Sequence, residues 1–169
     1  YDQLGLANGL PQGTPLTVTY RFMDNLNTPV GQSPFRSTIH DFMPMSGAQR
    51  QVVRSLLDTQ FDAVGVRFHE VGGNAPAMRF GLSSGINGEG ANAPEAGYAS
   101  FTTPGGMEPI VMINYLQPVF QRDPAGRAFE DVMLHEVGHA LGMKHPGQYH
   151  AHEQGPFLPA ALDHTGNSI

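Results

Sequence analysis

The sequence predicts an α+β domain in which one mixed, twisted sheet of about five strands packs against two main helices. The chain has 169 residues, a length at which a single hydrophobic core is the usual outcome. Several segments alternate in the manner of half-buried strands, and two others repeat apolar residues at helical spacing. Because the order is strand, helix, three or four strands, helix, we expect a single sheet covered by the helices.

Strands are predicted where β-branched, aromatic and other apolar residues alternate or run together between turn-forming residues. The predicted strands are Leu16–Phe22, Val64–Val71, Ala77–Leu82, Tyr98–Thr102 and Ile110–Tyr115. The fourth is short and bounded by Gly97 and Pro104, which is typical of a strand at the edge of a sheet. The fifth is strongly apolar.

Helices are predicted in two places. The first begins at Ala48, and its apolar residues recur at helical spacing as far as Phe61. The second covers Arg127–Leu141 and follows Pro124, with an apolar set formed by Phe129, Val132, Met133 and Val137. These two segments supply the helices expected to cover the sheet.

Composition and charge exclude several classes of function. Charged residues make up only 14% of the chain, which excludes a disordered polyelectrolyte. The formal net charge is -6 and no basic block occurs, so nucleic acid and anionic membrane surfaces are poor partners on electrostatic grounds. The longest apolar runs, such as Ile110–Ile113, are far too short to span a membrane. Cysteine is absent, so a disulfide framework and a thiolate metal site are excluded too. Any metal must therefore be bound by His, Asp and Glu, and the chain has eight histidines.

The most informative stretch reads His-Glu-x-x-His-x-x-Gly-x-x-His and begins at His135. On a helix, His135 and His139 stand on the same face one turn apart, so both imidazoles can bind one ion. Glu136 is displaced by about 100° around the axis. There it can lie beside the ion as a general base. At this chain's composition the whole pattern should arise by chance in roughly one chain in ten thousand.

The glycine in the pattern explains how the third histidine could reach the same ion. Gly142 can adopt a left-handed conformation and end the helix, which lets the chain turn and bring His145 back. Pro146 prevents the helix from continuing. Three imidazoles suit Zn²⁺ and leave a fourth position for water. The sequence thus predicts a zinc site at the end of the second helix.

The stretch from Leu134 to Gly147 resembles the metzincin metalloproteases, and most of all their serralysin branch of secreted bacterial zinc endopeptidases. The order of elements from Leu16 to Leu141 is also similar to the catalytic domain of that family. The resemblance implies a zincin-like fold with the zinc on the second helix. We therefore expect residues 1–169 to form one catalytic domain, with 1–143 as its upper part and 144–169 as the start of its lower part.

The resemblance also implies roles for individual residues. Zn²⁺ would be the cofactor, bound by His135, His139 and His145, and Glu136 would be the general base. A protein or peptide substrate would lie antiparallel to the edge strand and bind at Tyr98, Ala99, Ser100 and Phe101. We expect no nucleic-acid partner and no membrane span. Because the family is exported from bacteria, we also expect a secreted, extracellular protein.

Two departures from the family pattern leave alternatives open. No calcium-binding β-roll repeat occurs, and no methionine follows His145, although metzincins place a methionine turn there. We expect a chain that stops just before that turn, which would make its own C-terminal remainder a partner; the alternative is a natural variant without the turn. Two alternative functions are a catalytically inactive zinc-binding fragment and a surface or assembly module with a vestigial site.

Overall fold

The structure is a computed structural model, and it describes residues 14–26, 39–72, 76–84, 95–100 and 109–143. Within these ranges the chain forms a five-stranded sheet and three α-helices. The strands are β1 (Leu16–Phe22), β2 (Val66–Glu70), β3 (Met78–Ser83), β4 (Gly97–Ala99) and β5 (Ile110–Asn114). The helices are α1 (Gly47–Leu56), α2 (Pro118–Arg122) and α3 (Arg127–Ala140).

The sheet is mixed, and its strand order is β2-β1-β3-β5-β4. The first four strands in that order pair in parallel, while β4 pairs antiparallel with β5. Along the last pair, Gly97 lies opposite Ile113, Tyr98 opposite Met112 and Ala99 opposite Val111. The predicted α+β class with one mixed sheet of about five strands is therefore confirmed, and β4 stands at the predicted edge.

The elements differ from the prediction in several details. The predicted strand from Val64 to Val71 begins only at Val66, because Val64 ends a 3-10 helical turn. The first helix is α-helical only to Leu56 and continues as a π-helical turn over Leu57–Phe61, in which both Leu57 and Phe61 are buried. The edge strand ends at Ala99 within the described residues. The short helix α2 was not predicted, although Pro118 occupies its first turn, where proline fits a helix well.

Two layers of apolar side chains lie on opposite faces of the sheet. The larger one joins the sheet to α1 and α3, and the smaller one lies on the far face around Met23, Tyr98, Ile110 and Met112. Alternation along β4 and β5 explains this division, since successive side chains of a strand point to opposite faces. Ala99 packs on the helix side, whereas Tyr98 belongs to the other layer.

Helix α3 carries the His/Glu motif and packs on β5 and on the edge strand β4. Phe129, Met133, Val137 and Ala140 recur at helical spacing and are fully buried. This apolar stripe fixes the rotation of the helix about its axis. It leaves His135 and His139 half-buried beside the stripe and turns Glu136 toward the edge of the sheet.

Candidate active site

Two of the predicted metal ligands stand together on α3. The Nε2 atoms of His135 and His139 are 2.9 Å apart, and the ring centroids are 4.5 Å apart with the planes at 86°. A spacing of four residues places both side chains on one face, one helical turn apart. The two imidazoles thus converge on a common point through the same ring nitrogen.

The turn after α3 holds the second imidazole in place. Gly142 has φ 94°, and its N–H donates to the carbonyl of His139 (2.8 Å) while the N–H of Met143 donates to that of Gly138 (3.0 Å). This pair of bonds is the Schellman arrangement, which requires a left-handed residue where Gly142 stands. The predicted left-handed glycine is therefore confirmed.

The same turn brings a carbonyl group onto the imidazole. The oxygen of Met143 lies 2.9 Å from Nδ1 of His139. A carbonyl oxygen can only accept, so Nδ1 carries the proton and Nε2 of the neutral ring presents a lone pair. Metal-binding histidines are commonly oriented by such a hydrogen bond to the ring nitrogen that does not bind the ion. The backbone of Met143 is a part of the site that sequence reasoning did not identify.

The donor set fits a zinc ion. Two nitrogens bound tetrahedrally to one Zn²⁺ at about 2.0–2.1 Å stand about 3.3 Å apart. The observed separation of 2.9 Å needs only a small rotation of either ring to match. His145, the predicted third ligand, lies outside the described residues. Within the described ranges no group of three His, Asp or Glu side chains converges on one point.

Glu136, which follows His135 along α3, occupies a desolvated position. The residue is 6% exposed, and burial raises the pKa of its carboxyl to about 7. A carboxyl with a pKa near neutrality can both accept and return a proton at physiological pH. A cation on the neighbouring imidazoles would favour the charged form and lower this pKa again. The position therefore suits a residue that exchanges protons.

The backbone of the edge strand alternates between inward and outward hydrogen bonding. The N–H of Asn114 donates to the carbonyl of Ala96 (2.9 Å), and the N–H of Ser100 donates to that of Ile110 (2.9 Å). In an antiparallel pair every second residue bonds across the ladder. Gly97 and Ala99, the residues between those bonded positions, therefore direct their N–H and C=O groups away from β5. In the part of the chain that the structure describes, no further strand lies on that side.

The four predicted substrate-binding residues separate accordingly. Ala99 presents its backbone to the open edge, whereas Tyr98 and Ser100 are directed inward. The hydroxyl groups of Tyr98 and Ser83 are 3.2 Å apart, and the Oγ of Ser100 accepts from the N–H of Ile110 (2.8 Å). Phe101 lies outside the described residues. Tyr98 and Ser100 thus hold the edge strand, and contact with a partner strand falls to Gly97 and Ala99.

Gly97 is a second residue of the site that sequence reasoning missed. It lies on the edge strand with its helix-facing side against the Glu136 side chain. A glycine within a strand often marks a place where another group approaches closely, and that signal was available in the sequence. By sequence alone, Gly97 marks only the boundary of the strand.

The turn at Gly142 gives a direct test of how the second imidazole is held. Alanine at this position should destabilise the fold by about 1–2 kcal/mol, the cost of a left-handed conformation for an L-residue with a side chain. Because Met143 would then lose its place, zinc affinity should also fall, by about 10–100-fold. Thermal unfolding and zinc titration of G142A measure both effects. G47A is the matched control, since a Cβ at Gly47 meets nothing within 4 Å; unchanged zinc affinity in G142A would show that the Met143 carbonyl does not orient the ring.

Comparison with known proteins gives sequence relatives among metalloproteases. Metalloprotease AprA of Pseudomonas entomophila (strain L48) is 32% identical over 118 residues, covering 68% of this chain and 24% of that protein. Serralysin C of Dickeya chrysanthemi is 29% identical over 154 residues, covering 85% of this chain and 29% of that protein. The chain thus spans about a quarter to three tenths of the length of these relatives.

The chain was also compared with protein-family models and with solved structures. No family model matches the chain. The solved structure of myroilysin matches with 14% sequence identity and a TM-score of 0.45, covering 83% of this chain and 54% of that one. Separately, no helix among the described residues has the length and apolar character needed to cross a bilayer.

Proposed function

Since the chain is a serralysin-like sequence of the metzincin group, we propose that it is a zinc-dependent endopeptidase. The observation that carries the proposal is the pair of imidazoles on α3, with Nε2 atoms 2.9 Å apart, on the same helix as the buried Glu136. In this proposal residues 1–169 are one catalytic domain, with 1–143 as its upper part and 144–169 as the start of its lower part. From the serralysin-like sequence we also propose that the protein is secreted.

The zinc ligands in this proposal are His135, His139 and His145. Bound Zn²⁺ would supply Lewis-acid polarisation of the scissile carbonyl and a lowered pKa for the attacking water. His139 keeps its proton on Nδ1 through the Met143 carbonyl, which leaves Nε2 available to the ion. The absence of cysteine suits this all-imidazole set.

Glu136 moves the protons of the reaction. Its carboxylate accepts a proton from the water as the water oxygen forms a bond to the carbonyl carbon of the scissile peptide. The same carboxyl then donates that proton to the leaving nitrogen as the carbon–nitrogen bond breaks. Its desolvated position supports both directions of transfer, because burial raises the pKa of the carboxyl to about 7 before any cation is present.

The edge strand positions the substrate. A peptide laid antiparallel on β4 would pair with the outward backbone groups of Gly97 and Ala99. The proposal keeps Phe101, which lies outside the described residues, as a further substrate-binding residue. Tyr98 and Ser100 would contribute by holding the strand through their inward hydrogen bonds. Main-chain pairing of this kind supplies affinity without selecting a particular side chain.

A casein or peptide-cleavage assay tests the proposed function. We expect cleavage by the zinc-loaded protein, loss of cleavage on chelation and recovery when Zn²⁺ is returned. The assay should be run on residues 1–169 and on a form extended past Ile169, because the chain spans only part of its relatives. Cleavage by the extended form alone would identify residues 1–169 as an incomplete enzyme.

One alternative function is a zinc-binding module without turnover. Stoichiometric zinc with no cleavage in either form of the protein would support it. A protein that binds no zinc after gentle purification would support a surface or assembly role instead.

A further inference from the structure

The edge strand and the motif helix make their closest approach at Gly97. A Cβ atom added at this residue would lie 2.9 Å from Cγ of Glu136, 3.0 Å from Cγ1 of Val132 and 3.1 Å from Cδ1 of Ile113. Real Cβ atoms essentially never come closer than about 3.0 Å to such neighbours. Even the smallest side chain would therefore displace one of the three neighbours.

Side chains of helix α3 and of strand β5 together fill the space around Gly97. Val132 and Glu136 are four residues apart on α3, so their side chains lie on one face of the helix, and that face is turned to the edge strand. Ile113 stands opposite Gly97 in the sheet register and closes the third side. The side-chain stem of Glu136 thus lies in the space that a side chain on β4 would otherwise fill.

Gly97 also presents its backbone to the open edge of the sheet, since the ladder bonds to β5 fall on Ala96 and Ser100. One residue therefore contacts the proposed base on its helix side and faces a bound peptide at the strand edge. A displacement here would change the distance between base and peptide while leaving the imidazole pair in place.

We propose that Gly97 is a positioning residue for the reaction: having no side chain, it lets Glu136 lie against the edge strand at the point where the peptide backbone is bound. This inference rests on the proposed endopeptidase function. The inference assigns to Gly97 a role in the position of the Glu136 side chain and none in metal binding. Catalysis is sensitive to such placement, because an error of about 1 Å can cost about 100-fold in rate.

The test is G97A in the form of the protein that cleaves peptides. We expect kcat to fall by at least about tenfold, because the added methyl group moves the Glu136 carboxyl away from its working position. KM should change by less than about threefold, since alanine keeps the backbone N–H and C=O that pair with the peptide. Zinc content, measured by elemental analysis, should stay equal to that of the parent. The matched control is G47A, which adds the same methyl group where nothing lies within 4 Å.

A second variant separates positioning from general damage to the fold. I113V removes the Cδ1 atom that lies 3.1 Å from the added methyl group and gives the edge strand room to shift. We expect G97A/I113V to recover part of the lost kcat, and I113V alone to resemble the parent. If G97A does not fold, the double variant G97A/I113V is the test protein. Its kcat should then lie between that of the parent and that of a Glu136 variant.

The outcomes distinguish this inference from the function on which it rests. Full kcat in G97A with normal zinc content would overturn the positioning role. Loss of zinc in G97A together with activity would overturn it too, since the glycine would then support the metal site. A zinc-loaded parent that cleaves nothing would overturn the proposed function and this inference with it.

Discussion

Replacing Glu136 with glutamine should lower kcat by about 100- to 10,000-fold, which is the usual contribution of a positioned general acid–base residue. Glutamine keeps the size of the buried side chain and removes its ability to accept a proton from water. Zinc content should be unchanged, because the proposed ligands are imidazole nitrogens and glutamine leaves both of them in place. Peptide cleavage and elemental analysis on the same preparation measure both quantities.

Another glutamate on the same helix provides the control for this experiment. Glu130 lies in the first turn of α3, and E130Q makes the same change of charge away from the proposed site. We expect it to cleave peptides at the parental rate. Normal turnover in E136Q would show that Glu136 does not transfer the protons, and loss of zinc from E136Q would show that it helps to bind the ion.

Replacing His139 with alanine should weaken zinc binding by well over about 100-fold. The lower bound comes from the 10–100-fold cost of losing an outer partner of a metal-binding histidine, since loss of the ligand itself must cost more. H135A should behave in the same way, because the two Nε2 atoms are 2.9 Å apart and would bind the same ion. Peptidase activity should disappear with the zinc.

The chain offers a matched histidine for this comparison. His69 is exposed on β2, at the opposite edge of the sheet from β4, so H69A should keep the parental zinc affinity and activity. Competition with a chromogenic chelator gives the affinities. Parental zinc affinity in both H135A and H139A would place the zinc site elsewhere in the protein.

Sequence patterns predicted most of the fold because its elements are strongly periodic. The first strand, Leu16–Phe22, has the predicted bounds, and α3 differs from its prediction by a single residue at its end. The π-helical turn at Leu57–Phe61 could not be predicted, because a wider turn changes the hydrophobic spacing only slightly while still burying both apolar ends. Helix α2 is only five residues long, too short for periodicity to be visible.

The candidate site divides in a similar way. His135, Glu136 and His139 were predictable because their spacing depends on helix geometry alone. The role of Met143 depends on a backbone carbonyl, which a side-chain motif does not specify, although Gly142 indicates the turn that places it. The contact of Gly97 with Glu136 depends on how α3 packs on a strand nearly forty residues earlier in the chain. Local sequence patterns do not specify how closely two such distant elements pack.

X-ray absorption at the zinc edge tests the central claim most directly, because it reports the ligands of the ion itself. For the zinc-loaded protein, the proposal predicts three imidazole nitrogens and one oxygen at about 2.0–2.1 Å. In H145A, which removes the third proposed ligand, the zinc ion should have one imidazole fewer. A parental spectrum with fewer than three imidazoles, or an H145A spectrum identical to the parental one, would contradict the assignment of His135, His139 and His145 as the zinc site.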